Sequence, residues 1–200
     1  MNFLLQLSRL IDRINESIGR ATIWLVLLAV LVSAGNAIVR KTLNMSSNAL
    51  LEVQWYLFAA IFLLGAGFAF LKNAHVRIDF VSNRFSPRLR NWIDIVGIVV
   101  FLFPLCAIII DLSWPLFVNA FRSGEMSTNA GGLIRWPAYA LVPLGFALLL
   151  LQGASELVKR IAFLVGAGPD TLAHEEHGLI EDVKEIEEEL EADSNAGEAR

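Results

Sequence analysis

The sequence predicts an all-α integral membrane protein: four transmembrane helices preceded by an amphipathic interfacial helix, with both termini in the cytoplasm. Three observations carry that prediction. No Asp, Glu, Lys or Arg occurs from Ala21 to Val39, from Val53 to Leu71, from Ile95 to Ile110 or from Trp136 to Ser155. A helix rising about 1.5 Å per residue needs roughly 20 apolar residues to cross a hydrocarbon core of about 30 Å, and each stretch reaches that length once its interfacial ends are counted. The five tryptophans, Trp24, Trp55, Trp92, Trp114 and Trp136, fall at the ends of these stretches, where amphipathic indoles collect at a membrane surface. Finally, 56% of the 200 residues are hydrophobic and mean hydropathy is +0.57, above the roughly 45–50% apolar share of a soluble domain.

The chain divides into an N-terminal arm (1–20), a four-helix membrane domain (21–165) and an acidic cytoplasmic tail (166–200). In the arm, Phe3, Leu4, Leu7, Leu10, Ile11, Ile14 and Ile18 recur at helical spacing, with Arg9, Asp12, Arg13, Asn15, Glu16 and Arg20 opposite. That is the pattern of a helix lying along the interface, a soluble coil segment being the competing reading. The first apolar stretch begins too late and runs too long for a cleavable signal, so it stays attached as the first span.

The spans are expected at about 21–39, 50–71, 92–113 and 137–158, with Trp24, Trp55, Trp92 and Trp114 as interfacial anchors. Ala29, Ser33 and Ala37 in the first, and Gly65 and Ala69 in the second, recur every four residues. Small residues at that spacing let helices approach closely in lipid, either within this bundle or against another subunit. Pro104 and Pro143 are expected to kink the third and fourth helices, and Pro115 and Pro137 to sit at helix ends.

Orientation is set by the basic residues. The arm has Arg9, Arg13 and Arg20, the central segment Lys72, Arg77, Arg84, Arg88 and Arg90, and the C-terminal flank Lys159 and Arg160. The other side has only Arg40, Lys41, Arg122 and Arg135. Ten against four puts both termini and the central segment inside. The net charge of -4 comes from the segment 170–200, where twelve acids face Lys184 and Arg200. Its Leu179, Ile180, Val183, Ile186 and Leu190 lie near helical spacing among glutamates, consistent with a short surface helix or a disordered segment.

Membrane catalysis and cofactor binding find no support. His75, His174 and His177 lie outside the apolar stretches, which removes haem ligation within the bilayer, and two histidines in the solvated tail are weak evidence for a metal. No carboxylate falls mid-span; Glu52, Asp94 and Asp111 lie near helix ends, so the buried ionisable groups of an ion pathway are missing. The lone Cys106, within the third stretch, forms no internal disulfide and reads as a small buried hydrophobe. No phosphate-cradling loop or nucleophile motif appears. The expectation is no enzyme, no metal, no cofactor and no nucleic-acid partner.

Two polar patches remain. One contains Glu52, Gln54, Trp55, Gly65, Gly67, Lys72, Asn73, His75, Arg77 and Asp79. The other runs through Ser127, Thr128, Asn129, Gly131, Gly132, Arg135, Trp136, Pro137, Tyr139 and Pro143 to Gln152. At equal depth, Glu52 and Arg135 are expected to meet, directly or through a partner.

The stretch LLEVQWYLFAAIFLLGAGFAFLKNAHVRIDFV resembles the small membrane subunit of tripartite ATP-independent periplasmic (TRAP) transporters, the DctQ-like family. STNAGGLIRWPAYALVPLGFALLLLQ resembles the same family, and its RWPAYALVPLGF is most like the mannitol or chloroaromatic branch. The resemblance covers about sixty residues, with matching layout over 1–165. It implies a complex in the bacterial inner membrane with a large DctM-like permease subunit and a periplasmic DctP-like binding protein. Uptake of an organic acid would be driven by an ion gradient, usually sodium. Glu52, His75, Arg77, Asp79, Arg135, Trp136 and Pro137 carry over as subunit-contact or orientation residues, joined by Gly65 and Ala69. Bottom-up, the chain reads as a scaffold in the bilayer. A self-sufficient four-helix exporter or channel would need a mid-membrane charge or a hydrated face, and a quinone-linked anchor would need histidines within the spans.

Overall fold

A computed structural model describes residues 2–43, 47–72 and 86–169 of the chain. It contains four long helices: α1 (Asn2–Leu43), α2 (Asn48–Leu71), α3 (Pro87–Ser123) and α4 (Trp136–Leu164). All four are long and apolar enough to cross a membrane. The segment 170–200 lies outside the described residues, as do His75, Arg77 and Asp79.

Two elements differ from the expected boundaries. No separate arm exists, because nothing between residues 2 and 43 breaks a helix: there is no proline, and Gly19 is packed under the Phe68 ring. α1 is therefore one rod of 42 residues, about 63 Å long. α3 starts earlier and ends later than expected, opening on Pro87 in its first turn and closing on Gly124 at φ 62°. Pro115 consequently lies inside the helix and not at its end. Pro137 does sit in the first turn of α4.

Pro104 takes an unexpected form. The turn before it, Gly97–Leu102, is a π-helix, with the Phe103 N–H bonded to the Ile98 carbonyl five residues back. Proline has no N–H to give and its ring crowds the carbonyl four residues earlier. A widened turn moves that carbonyl aside without ending the helix.

α4 is the axis of the bundle. α1, α2 and α4 pack together in a triangle, and α3 packs on the remaining side of α4. Contact is close where α4 carries glycine: a Cβ on Gly145 would come within 2.7 Å of the Leu63 carbonyl oxygen in α2. At Gly153 the Leu102 side chain, at the π turn of α3, would be met at 2.5 Å.

The antiparallel register of α1 and α2 is set by Ser33 bonded to Gln54, Thr22 beside Gly65, Gly19 against Phe68, and Glu16 at 3.9 Å from Lys72. Polar contacts therefore define two levels. One end holds the Glu16–Lys72 pair and, further out along α4, the Asp94–Arg160 pair, and the other holds Glu52 and the loop before α4. From Glu52 to Lys72 is about 20 residues, or 30 Å of helix, the thickness of a hydrocarbon core. Trp55, Trp92 and Trp136 lie within about a turn of these levels. By the same register Trp24 is level with Leu63, in the middle of α2, and its ring points away from the bundle, 73% exposed.

The distribution of side chains is that of a membrane protein. The largest fully buried side chains are Arg160, Gln152, Asn15 and Asn91, while Trp24, Phe62 and Phe101 are more than 70% exposed. The buried apolar residues are small apart from Ile98: Ala29, Cys106, Ala120 and Ala162. In lipid, apolar side chains gain nothing by turning inward, and helices associate through small residues and hydrogen bonds.

Candidate functional site

Two polar clusters lie at opposite ends of the bundle. The first closes around Glu52. Its carboxylate is 5% exposed although it sits in the first turn and a half of α2. The connection from α3 to α4 folds over it as a hairpin: the Ser127 N–H donates to the Leu133 carbonyl at 2.8 Å, and the Arg135 N–H to the Glu125 carbonyl at 2.9 Å. Gly124 and Gly131, both at positive φ (62° and 71°), supply the bends that L side chains resist.

Within that hairpin three donors converge on Glu52. The Leu133 N–H reaches Oε2 at 2.6 Å, the Asn129 side-chain amide reaches Oε1 at 2.8 Å, and the Ser127 hydroxyl also donates to Oε1. Gly132 passes so close that a Cβ there would lie 2.9 Å from Glu52 Oε1. Two further bonds tie the hairpin to α2: Tyr56 O–H to the Ile134 carbonyl at 2.9 Å, and the Asn48 amide to the Ala130 carbonyl at 3.0 Å. Charge-assisted bonds of this kind hold a carboxylate without a counter-charge.

Of the two forms expected for the Glu52–Arg135 meeting, the direct ion pair does not form. Arg135 Nη1 is 3.0 Å from Glu125 Oε1, its cross-strand neighbour in the hairpin, and both side chains are well exposed. The bond to Glu125 pushes the Arg135 guanidinium further up from its already high pKa, so it stays charged. The two polar patches do meet here, through Ser127 and Asn129. Trp136 packs edge-on against Phe121 of α3 with ring centroids 5.4 Å apart, and Pro137 starts α4 beneath it.

The second cluster lies between α1 and the far half of α4, and the residue patterns did not single it out. Ser8, Asp12 and Asn15 of α1 face Gln152, Ser155, Glu156, Lys159 and Arg160 of α4. Asn15 donates to Gln152 at 2.9 Å, and Gln152 donates to Asp12 at 2.9 Å. Ser155 gives its proton to Asp12 at 2.7 Å, so Ser8 donates to the Ser155 hydroxyl, also at 2.7 Å. Lys159 bridges Asp12 at 2.9 Å and Glu156 at 2.6 Å. Arg160, 1% exposed, reaches Asp94 of α3 at 2.9 Å and Glu156 at 3.7 Å. Removing one partner from a buried ionic set of this type typically costs about 3–5 kcal/mol, because the charge left behind is unpaired.

On the arm's polar side, Asn15 is buried and Asp12 half-buried against α4 while Arg9, Arg13 and Arg20 are exposed, and Phe3, Leu4, Leu7, Leu10 and Ile14 face outward. The signal for this cluster was present in Gln152, Ser155, Glu156, Lys159 and Arg160, which share one helical face by their three- and four-residue spacing. Gly65 lies against α1, with Thr22 Oγ1 3.9 Å from where its Cβ would be, and Ala69 is half-buried one turn on. Trp55, Trp92 and Trp114 are all more than half exposed.

Comparison with known proteins gives one family. A family model described as "Tripartite ATP-independent periplasmic transporters, DctQ component" matches residues 28–163. No curated protein and no solved structure matches the chain.

Proposed function

The chain belongs to the DctQ component family of tripartite ATP-independent periplasmic transporters, and from that membership we propose that it is the fixed scaffold for a large DctM-like permease subunit. Uptake is of an organic acid, delivered by a periplasmic DctP-like binding protein and driven by an ion gradient, sodium first among the candidates. As the small subunit of a TRAP transporter the chain is a multi-pass membrane protein and a transport component, not an enzyme. The DctQ family works with DctM and DctP components. A bacterial inner membrane is the setting this implies. Assignment to the mannitol or chloroaromatic branch rests on RWPAYALVPLGF alone.

One observation in the geometry supports the scaffold role most directly: the charged side chains that the described helices bury are hydrogen-bonded or ion-paired within the chain. Glu52 is closed off by the α3–α4 hairpin, and Asp12, Asp94 and Glu156 are bridged to Lys159 and Arg160. The grooves on the bundle are lined largely by apolar side chains, as in the 590 Å3 cleft between Val30 of α1 and Phe58 of α2. A self-sufficient exporter would present such charges to a hydrated path, and the family match does not favour one.

Reconstitution tests this. The chain alone in proteoliposomes should give no substrate-dependent ion flux, and flux should appear with the large subunit and the loaded binding protein. Flux from the chain alone would overturn the scaffold reading.

A further inference from the structure

The uncharged stretch of α3 ends at Ile110, so the sequence pattern assigns Asp111 to a helix end. The helix does not stop there. It runs on to Ser123, which leaves Asp111 twelve residues, or about 18 Å, inside it. Its depth follows from the contacts between α3 and α4: Phe121 packs on Trp136, and Leu102 is the neighbour of Gly153. Asp111, midway between Leu102 and Phe121, is therefore level with Leu144 and Gly145. Gly145 in turn lies against Leu63 of α2, and Leu63 is level with Trp24 of α1. All these positions fall within the charge-free stretches 21–39, 53–71 and 136–155. A bilayer that covers those three stretches also covers Asp111.

The side chain points away from the bundle. At 3.6 residues per turn it lies opposite Cys106, Ser113 and Ala120, the residues that α3 buries. It is exposed, and among the described residues no hydrogen bond or ion pair holds its carboxylate. A second acceptor is open at the same spot. Pro115 has no N–H to return to the Asp111 carbonyl four residues back, so that backbone group has lost its intrahelical donor. Pro104, Ala107 and Pro115, all exposed, share the face with Asp111 and keep it low, which lets another helix approach closely.

A carboxylate and an open carbonyl are both costly in hydrocarbon and call for a donor. Lipid tails carry none. A second copy docked two-fold through this face would set Asp111 against Asp111. On the outer side of the bundle, the carboxylate lines no path through this chain. Given the scaffold reading above, on which this rests, we propose that this face of α3 docks a span of the large subunit, and that the span presents a cationic side chain, Lys or Arg, to the Asp111 carboxylate and carbonyl.

The test is made on the chain assembled with its large partner. Benzoylphenylalanine replaces Ile108, which is 57% exposed at the rim of this face, and ultraviolet light should link it to the large subunit. Asp111→Leu and Asp111→Lys should each lower the large subunit copurified in mild detergent by at least about tenfold, as expected when a partner's intramembrane charge is left unpaired. The chain purified alone should melt no lower with Asp111→Leu than the parent, with Cys106 labelling as the readout, which separates lost docking from misfolding. Undiminished copurification in both variants, links from Ile108 to lipid alone, or a product of twice the chain's mass overturns the docking face and leaves the scaffold reading standing. A lower melting temperature in Asp111→Leu would mean that Asp111 is held within this chain, and overturns it too. A parent chain that captures no large subunit overturns both.

Discussion

At the scale of single residues, the outer end of the bundle shows how a buried carboxylate can be held by neutral donors. Glu52 accepts from a backbone N–H, an amide and a hydroxyl, while Arg135 is paired with Glu125 in the same hairpin. Hydrogen bonds to a charged group are worth about 1.5–3 kcal/mol each, whereas a water-screened surface pair such as Arg135–Glu125 contributes little. Glu52→Ala should therefore lower the unfolding temperature clearly and Arg135→Ala barely. The double variant should fall near the sum, because no hydrogen bond or ion pair joins the two side chains. Glu52→Ala with Asn129→Ala should be less than additive. Cys106, fully buried in α3, provides the readout through a thiol-reactive dye during heating. Equal losses from Glu52→Ala and Arg135→Ala, with no further loss in the double variant, would restore the direct pair. The sequence placed both residues at one depth but could not show that Glu125, ten positions earlier, faces Arg135 across a hairpin. That pairing depends on the turns at Gly124 and Gly131.

At the scale of elements, the four spanning helices were legible because lipid demands long uncharged stretches. Their ends were less so. Polar residues at the far ends of α1 and α4 looked like solvated flanks, yet they form the buried Asp12–Ser155–Lys159 ladder. An amphipathic pattern reveals two faces but not which one is buried, and here the neighbour is itself polar. Close helix contact was foreseen from small residues, but the tight positions differ. A Cβ at Gly145 would meet the α2 backbone at 2.7 Å, and backbone cannot swing away, whereas a Cβ at Gly65 would find Thr22 at an ordinary 3.9 Å. Gly145→Ala should therefore destabilise the bundle and lower the yield of the complex with the large subunit. Gly65→Ala should be neutral or slightly stabilising in the same melting assay. If the two rank the other way, α2 and α4 do not cross at Gly145.

At the scale of the whole molecule, the fold sorts the basic residues into two ends. Lys72, Lys159 and Arg160, with Arg9 and Arg13 on α1, lie at the ladder end, whereas Arg40, Lys41, Arg122 and Arg135 lie at the hairpin end. Basic flanks are retained on the cytoplasmic side during insertion, and acids contribute little to that choice. The ladder end should therefore be cytoplasmic and the Glu52 hairpin periplasmic. Alkaline phosphatase, active only outside the cytoplasm, should be inactive when fused after residue 165 and active when placed near Asn44. Arg9, Arg13 and Arg20 changed together to Glu should raise activity of the residue-165 fusion, since they open the chain and bias its first span. Activity at residue 165 in the parent, with none near Asn44, would invert the molecule. The hairpin around Glu52 would then face the cytoplasm, where a periplasmic binding protein cannot reach it, and the proposed division of labour with such a protein would fall.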